Sequence, residues 1–325
     1  MSDPVFAIDE TKPHVLAVAQ LSPFLSGPLR AAYNVHDKLH ETDPAAFAKI
    51  APKIRAIAAS GESKVGAALF DQLPALEIVS VMGVGYDGID VAAAKARGAV
   101  VTHTPNVLND DVADLALALM LATARAIPQA DRWIRDGQWE AKGPMPLQRK
   151  MSGARIGIVG MGRIGQAIAQ RALGFRMDVA YTARSAKTEL PYKYFPTPQA
   201  LAAETDYLVI ITPGGAATRK LIDASVFEAL GKNGIVINVA RGSVIDEAAL
   251  IDALERGVIA GAGLDVFEDE PRVPAKLKAM SNVVLTPHVG SATQQTRQAM
   301  ADLAFANLDA QMKGKPLVTP VPECR

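Results

Sequence analysis

Apolar runs alternate with segments of helical periodicity through roughly the first hundred residues. The runs predict strands at residues 14–20, 33–39, 54–60, 76–82 and 99–104. Between these runs, residues 45–53, 63–73 and 90–98 carry apolar side chains at the spacing of one helix face. Because continuous apolar strands that alternate with helices are typical of a parallel sheet covered on both faces, we expect a doubly wound α/β domain.

The same alternation restarts at Arg155 and predicts a second doubly wound parallel sheet that begins near residue 153. Its strands are predicted at residues 155–161, 177–183, 207–212, 234–240, 260–267 and 282–287. Its helices are predicted at residues 163–175, 197–205, 223–231 and 246–257. The fold class is therefore α/β, with two parallel-sheet domains.

Two helical segments lie outside this alternation. Residues 110–137 read as one long helical segment, and residues 138–153 as the loop that follows it. Residues 293–314 form an amphipathic pattern with no strand after it, so this helix is expected to pack against the first sheet. The first domain is then discontinuous, with residues 1–104 and 290–325, and the second domain, residues 105–289, is inserted into it.

Composition narrows the class of protein. Hydrophobic residues make up 49% and charged residues 21%, and the 34 Lys+Arg balance the 34 Asp+Glu. A balanced charge does not favour binding to nucleic acid or to an anionic membrane surface. The apolar stretch 115–124 is too short to span a bilayer. The N-terminal stretch shows no secretory signal, and the single cysteine, Cys324, excludes an internal disulfide, so we expect a cytoplasmic protein.

A glycine-rich turn joins the first strand and helix of the second domain. The turn comprises Gly160, Met161, Gly162, Arg163, Ile164 and Gly165. In a G-x-G-x-x-G turn the first glycine makes the tight turn, the second lets a pyrophosphate approach the backbone, and the third allows close helix–strand packing. The N–H groups at the helix N-terminus then face the phosphates. A turn that serves packing alone is the alternative, but the strand–turn–helix context favours a dinucleotide site.

The strand after this helix ends without a carboxylate. An Asp or Glu about 20 residues after the glycines normally binds the adenine-ribose hydroxyls. Here Ala183, Arg184 and Ser185 stand at that place, and Lys187 follows. A guanidinium without a neighbouring acid suits a 2′-phosphate, so NADP(H) is predicted in preference to NAD(H). The alternative is that Arg184 only caps the strand end in solvent.

Three polar segments follow later strands of the second domain. They supply Arg241, Asp265 with Glu270, and His288. Because ligands gather at the carboxyl ends of parallel strands, these residues form a candidate set of anion clamp, orienting acid and general acid/base. Taken singly, Arg241 could be a salt-bridge or capping residue, Glu270 a solvated charge and His288 a turn histidine. No Cys/His or His-x-x-x-His spacing predicts a metal site.

Six segments carry motifs of one known family: residues 84–98, 105–121, 157–169, 237–250, 261–271 and 282–293. On these segments the chain resembles the D-isomer-specific 2-hydroxyacid dehydrogenases over nearly its whole length, and most of all their glyoxylate/hydroxypyruvate reductase branch. It implies a flavodoxin-like substrate-binding domain into which a Rossmann dinucleotide-binding domain is inserted.

The resemblance also implies roles for individual residues. Arg241 would bind the substrate carboxylate and carbonyl oxygen, His288 would donate the proton, and Glu270 would pair with His288. Backbone N–H groups around Val84 and Gly85 would hold the substrate carboxylate. The residues implied to line the cofactor, besides those of the turn and Ala183–Ser185, are Asn109, Thr212, Pro213, Ala240 and Asp265. Many relatives have Thr at the position of Asn109.

The activity implied is the NADPH-dependent reduction of a small 2-keto acid to the D-2-hydroxy acid. Related formate dehydrogenases are an alternative, but the motif of those enzymes has Gln at the position of Glu270. A second alternative, from another class, is a dinucleotide-sensing corepressor-like binding protein, because this fold also serves that purpose. Retention of the catalytic residues does not distinguish it from an enzyme.

The segment 110–137 also predicts a homodimer. Its apolar residues cover more of the circumference than a surface helix needs. They include Leu115, Leu117, Leu119, Met120 and Leu121. Trp139, just beyond the segment, is a candidate to reach a neighbouring subunit's substrate pocket. Burial of these side chains within one chain is the alternative.

Overall fold

The computed structural model describes residues 9–325; residues 1–8, which begin the N-terminal stretch and the predicted first domain, lie outside the described part. The strands are β1 His14–Ala17, β2 Asn34–Asp37, β3 Ile54–Ser60, β4 Ile78–Met82, β5 Val100–Thr102, β6 Arg155–Val159, β7 Asp178–Thr182, β8 Lys193–Tyr194, β9 Tyr207–Ile210, β10 Ile235–Asn238, β11 Gly261–Leu264 and β12 Val283–Leu285. The helices are α1 Pro23–Ala32, α2 Leu39–Thr42, α3 Pro44–Ile50, α4 Ala67–Phe70, α5 Val91–Ala96, α6 Asn109–Ala124, α7 Ile127–Arg135, α8 Gln138–Lys142, α9 Arg163–Gly174, α10 Pro198–Ala202, α11 Ala224–Leu230, α12 Glu247–Glu255, α13 Ala275–Ala279 and α14 Gln294–Met312.

The chain forms two compact units. The first comprises the described residues up to Leu108 together with Ala292–Arg325, and the second comprises Asn109–Ser291. Each unit contains one sheet, and every strand pair in both sheets is parallel. The predicted α/β fold class with two parallel-sheet domains is therefore confirmed.

In the first unit the strand order is β2-β1-β3-β4-β5, which is the flavodoxin-like order. Its central strands are mostly apolar because helices cover both faces; β4, for example, is buried at all five positions. The C-terminal helix α14 packs on this sheet, where the Ser80 hydroxyl in β4 donates to the Ala304 carbonyl oxygen at 2.8 Å. Tyr33 at the end of α1 donates to Asp309 of α14 at 2.8 Å, so side-chain hydrogen bonds join this helix both to the sheet and to α1.

In the second unit the order is β12-β11-β10-β9-β6-β7-β8. Counted from β6, the crossover from one half of the sheet to the other lies between β6 and β9, as in a Rossmann fold. The carboxyl ends of β6, β9, β10, β11 and β12 are neighbours along one edge of this sheet. Residues that follow these strands are thereby brought together although they are far apart in sequence.

The predicted long helix 110–137 is two helices. Helix α6 ends at Ala124, Ala126 adopts a left-handed backbone conformation with φ 48°, and α7 starts before Pro128. The lack of an N–H group in proline suits the first turn of α7 and not the middle of one continuous helix. The predicted loop after residue 137 also contains the short helix α8.

Helix α6 packs inside the second unit, chiefly on α9, β10 and β11. Leu117, Leu119 and Met120 are buried there, so most of its large apolar residues belong to the core of this unit. They do not provide the uncovered surface on which the predicted dimer was based. Among residues 9–325, no helix is long and apolar enough to cross a membrane.

Candidate active site

The glycine-rich turn follows β6, and each of its three glycines meets a different constraint. Gly160 has φ 108°, which L side chains rarely adopt, and a Cβ there would lie 2.8 Å from the backbone nitrogen of Thr212. At Gly165 a Cβ would lie 2.1 Å from the Gly160 carbonyl oxygen, so only glycine lets α9 pack this closely. At Gly162 a Cβ would meet nothing within 4 Å. The space beside Gly162 is therefore open on the side where a pyrophosphate is expected.

Helix α9 begins directly at this open position. Gly162 is its N-cap and provides no side-chain hydrogen bond to the first turn, so the first N–H groups of a 12-residue helix are available to an anion. Met161 is buried and anchors the turn, Ile164 is half-buried, and Arg163 is exposed beside the helix start. These features fit the phosphates of a dinucleotide.

The end of β7 carries the residues predicted to select the cofactor. Arg184 and Ser185 are exposed. The loop folds back on the strand because the Lys187 backbone N–H donates to the Tyr181 hydroxyl at 2.7 Å. The Lys187 ammonium lies 4.0 Å from Glu189, so its charge is partly compensated. Of the two cations near this strand end, Arg184 is thus the one that no carboxylate of residues 9–325 pairs with.

Arg241 stands in a tight turn after β10. The buried Asn238 side chain fixes this turn by accepting from the Ala240 N–H at 3.1 Å and donating to the Arg241 carbonyl oxygen at 3.0 Å. A Cβ at Gly242 would lie 1.9 Å from the Phe267 carbonyl carbon, so the next residue must be glycine. The Arg241 guanidinium donates to the Ala240 carbonyl oxygen at 2.8 Å. A guanidinium carries five N–H donors in a planar fork, which suits recognition of a carboxylate.

His288 and Glu270 form a hydrogen-bonded pair. The distance from His288 Nδ1 to Glu270 Oε2 is 2.7 Å, and the other carboxylate oxygen accepts from the Phe267 N–H at 2.9 Å. Burial alone would raise the pKa of the Glu270 carboxyl, but the hydrogen bond and charge of His288, with a smaller contribution from Arg241, lower it below its ordinary value. The carboxylate is therefore ionised at neutral pH and holds a proton on Nδ1 of the imidazole.

Asp265 anchors the turn that carries the histidine. Its carboxylate is 2% exposed and accepts from the Thr286 hydroxyl at 2.7 Å, the Val289 N–H at 2.8 Å and the Gly290 N–H at 2.9 Å. The Asp265 carbonyl oxygen accepts from the His288 N–H at 2.8 Å. His288 has φ 51°, a strained conformation for a non-glycine residue that these four bonds hold in place. Burial is the main reason that the pKa of Asp265 is raised.

The second unit thus brings most of the predicted residues to one sheet edge. Those that follow its strands are Gly160, Thr212 with Pro213, Ala240 with Arg241, Asp265 with Glu270, and His288. The influence of Arg241 on the pKa of Glu270 reflects the proximity of these two charges. Asn109 is the first residue of α6 in the same unit.

Val84 and Gly85 lie in the first unit, in the loop after β4, and both are half-buried. This loop contacts His103, whose Nδ1 lies 3.0 Å from the Val84 carbonyl oxygen. From the sequence, His103 is assigned no functional role because no acidic or basic residue accompanies it at its strand end.

Comparison with known proteins finds relatives among the 2-hydroxyacid dehydrogenases and the 2-keto acid reductases. Residues 117–290 match the family model described as D-isomer specific 2-hydroxyacid dehydrogenase, NAD binding domain. The chain is 48% identical over 268 residues to glyoxylate/hydroxypyruvate reductase A of Arabidopsis thaliana, which covers 82% of this chain and 85% of that protein. It is 44% identical over 310 residues to hydroxyphenylpyruvate reductase of Plectranthus scutellarioides, covering 94% and 98%.

A solved structure is similar over the same extent. The NADPH-dependent glyoxylate/hydroxypyruvate reductase of Sinorhizobium meliloti, in complex with NADP and malonate, superposes with a TM-score of 0.90 at 43% identity. The match covers 96% of this chain and 98% of that chain.

Proposed function

The chain belongs to the D-isomer-specific 2-hydroxyacid dehydrogenase family, and we propose that it reduces a small 2-keto acid to the D-2-hydroxy acid with NADPH. Glyoxylate and hydroxypyruvate are the substrates that its reductase relatives suggest. The observation that carries the proposal is the 2.7 Å pair of His288 and Glu270, next to Arg241, at the sheet edge that also bears the glycine-rich turn.

The residues of the second unit fit a bound NADPH. The open side of Gly162 and the first N–H groups of α9 would hold its pyrophosphate. Ala183 leaves room for a 2′-phosphate, and Arg184 and Ser185 would bind it. Asn109, Thr212, Pro213, Ala240 and Asp265 are proposed to line the rest of the site. When bound, the nicotinamide supplies the hydride that the keto carbon accepts.

The proton comes from His288. Because Nδ1 donates to the Glu270 carboxylate, the second proton of the imidazolium is on Nε2, which is the atom proposed to protonate the keto oxygen. The imidazole is afterwards reprotonated from water. Asp265 holds the backbone of this turn, so the ring keeps its direction while it gains and loses the proton.

Charge on the substrate is handled by Arg241 and by the first unit. The guanidinium is proposed to bind the substrate carboxylate and the keto oxygen, where negative charge develops as the hydride arrives. The N–H groups of Val84 and Gly85 are proposed to hold the same carboxylate. Formate oxidation, the reaction of related enzymes, fits this site less well. Formate has no hydroxyl proton for the Glu270–His288 pair to remove.

Replacing Glu270 with glutamine should shift the pH dependence of reduction. Glu270→Gln keeps a hydrogen-bond acceptor for Nδ1 but removes the charge that stabilises the imidazolium. The interaction that lowers the pKa of Glu270 is reciprocal, so the protonated fraction of the imidazole then falls at a lower pH. The alkaline limb of the kcat/KM profile is therefore expected to move toward acid.

The matched control for this variant is Asp269→Asn, in the same loop but paired with Arg272 at 2.7 Å. This control should keep the parental profile. If Glu270→Gln gave the parental profile as well, Glu270 would have no part in holding the proton.

A panel of 2-keto acids tests the proposed substrate class. Initial rates with glyoxylate, hydroxypyruvate and an aromatic 2-keto acid should show turnover of the small acids and a product of D configuration. A corepressor-like protein would instead bind NADPH and turn over none of the panel, which would contradict the proposal.

We further propose a homodimer. Large apolar side chains are exposed just beyond α6, on α7, α8 and the following loop: Ile127, Ile134, Trp139 (59% exposed) and Leu147 (100% exposed). A second copy that covers them would remove this surface from water. In this dimer, Trp139 is proposed to reach the neighbouring subunit's substrate pocket.

Light scattering at micromolar concentration should give twice the mass of one chain. The double variant Ile134→Ser, Leu147→Ser should shift the protein toward the monomer because both side chains are exposed in the single chain and would lose only intersubunit contacts. A monomeric parent protein would overturn the prediction.

A further inference from the structure

The loop after β4 presents two backbone N–H groups that the protein itself does not use. Within residues 9–325, neither the Val84 nor the Gly85 N–H donates a hydrogen bond to a protein acceptor. Gly83, in contrast, is fixed: its N–H donates to the Val81 carbonyl oxygen at 3.0 Å, and a Cβ there would lie 2.8 Å from Gly61 Cα. Two N–H groups without a protein acceptor in a half-buried loop are candidate donors to an anion.

The direction of one of these groups is set by His103. His103 follows β5, its side chain is almost fully buried, and Nδ1 lies 3.0 Å from the Val84 carbonyl oxygen. A carbonyl oxygen only accepts, so Nδ1 carries the proton and donates. The Val84 carbonyl and the Gly85 N–H belong to one planar trans peptide and point in opposite directions. The hydrogen bond therefore holds the Gly85 N–H pointing away from His103.

His103 is itself held by the C-terminal segment. Its N–H donates to the Thr319 carbonyl oxygen at 3.2 Å, and the Thr319 hydroxyl donates back to the His103 carbonyl oxygen at 2.6 Å. Asn307 of α14 is fully buried and donates to the same hydroxyl at 2.7 Å. Asn307 and Thr319 thus hold the backbone of His103, whose ring contacts the carbonyl oxygen of Val84.

The loop is braced at a second point by Tyr86. Its ring packs edge-on against the His103 ring at 5.3 Å between centroids, and its hydroxyl donates to Glu323 at 3.1 Å. The partners of the loop, His103 and Glu323, are both distant from it in sequence. A peptide flip at residues 84–85 would break the His103 bond.

We propose that His103 is a positioning residue for the substrate carboxylate, because it orients and polarises the Val84–Gly85 peptide so that the Gly85 N–H donates to that carboxylate. Polarisation adds to orientation, since a carbonyl that accepts a hydrogen bond makes the N–H of the same peptide a stronger donor. The inference rests on the proposed reduction of 2-keto acids. It concerns substrate binding and assigns His103 no part in hydride or proton transfer.

The test compares His103→Phe, which keeps an aromatic ring but lacks the donor, with His103→Asn, whose side-chain amide places an N–H near the position of Nδ1. For hydroxypyruvate, His103→Phe should raise KM about tenfold, the effect of weakening one hydrogen bond to a charged group. The kcat and the KM for NADPH should stay within about twofold of the parent. His103→Asn should recover most of the parental KM for hydroxypyruvate.

His40→Asn is the matched control, since His40 lies in α2 of the same unit, where its ring is near Glu41 and Phe47. It should leave both KM values unchanged. Parental KM for hydroxypyruvate in His103→Phe would overturn the inference, as would equal loss in Phe and Asn variants accompanied by equal loss of kcat and of thermal stability. A parent protein that turns over no 2-keto acid would instead overturn the proposed function, so the two failures are distinguishable.

Discussion

Replacement of His288 by alanine is expected to lower turnover about 10²–10⁴-fold, the range found when a positioned general acid is lost. The keto oxygen would then have to take its proton from water, with no group held in place to supply it. The glycine-rich turn and the end of β7 are not altered by the substitution, so NADPH should bind with parental affinity. Alanine adds no bulk to the turn, whose residue 288 has φ 51°, and the hydrogen bonds of Asp265 still hold the turn in place.

Steady-state turnover and a fluorescence titration of NADPH measure the two halves of this expectation. Loss of turnover with intact NADPH affinity supports the assigned role. If His288→Ala kept more than about a tenth of parental turnover, the proton would have to come from another group.

Exchange of the residues that end β7 is expected to change the cofactor preference. Arg184→Ala removes a guanidinium that no carboxylate of residues 9–325 neutralises, and with it charge-assisted hydrogen bonds worth roughly 1.5–3 kcal/mol. The KM for NADPH should therefore rise about 10–150-fold while that for NADH stays nearly unchanged. Ala183→Asp should go further, because the new carboxylate would repel a 2′-phosphate and accept from the ribose hydroxyls of NADH.

Lys187→Ala is the control for these variants, since the ammonium already lies 4.0 Å from Glu189. It should change the KM for NADPH far less than Arg184→Ala does. A parent protein that used NADH as well as NADPH would show this account of the β7 end to be wrong.

The strands could be predicted from the sequence because both sheets are covered on their two faces. A strand buried on both sides is a nearly continuous apolar run, and β3 matches its predicted span, residues 54–60. Elements without such a run were missed. Helix α1 contains Gly27 and Pro28, which resemble a turn, yet Leu25 and Leu29 are buried on one face. Strand β8 is only two residues long.

The break after α6 was missed for a related reason. Apolar residues continue past Ala124, so periodicity alone does not mark where one helix ends. Ala126 adopts a left-handed backbone conformation, which the presence of an alanine in the sequence does not predict. The same apolar surplus favoured an interface on α6, whereas tertiary packing buries most of it within the second unit.

The candidate catalytic residues were accessible to sequence reasoning because each follows a predicted strand and the strands are parallel. The contacts that position these residues could not be predicted from the sequence. The four hydrogen bonds of Asp265 to the turn of His288, and the buried Asn238 beneath Arg241, depend on loops that meet only in the folded chain. His103 contacts Val84 across two strand ends, and no local pattern signals that contact.

The most direct test of the account is the initial rate of NADPH oxidation with hydroxypyruvate, measured for the parent protein and for His288→Ala. We expect the parent to oxidise NADPH steadily in the presence of hydroxypyruvate, and the variant to do so about 10²–10⁴-fold more slowly. A parent protein that binds NADPH but does not oxidise it with hydroxypyruvate or glyoxylate would contradict the account.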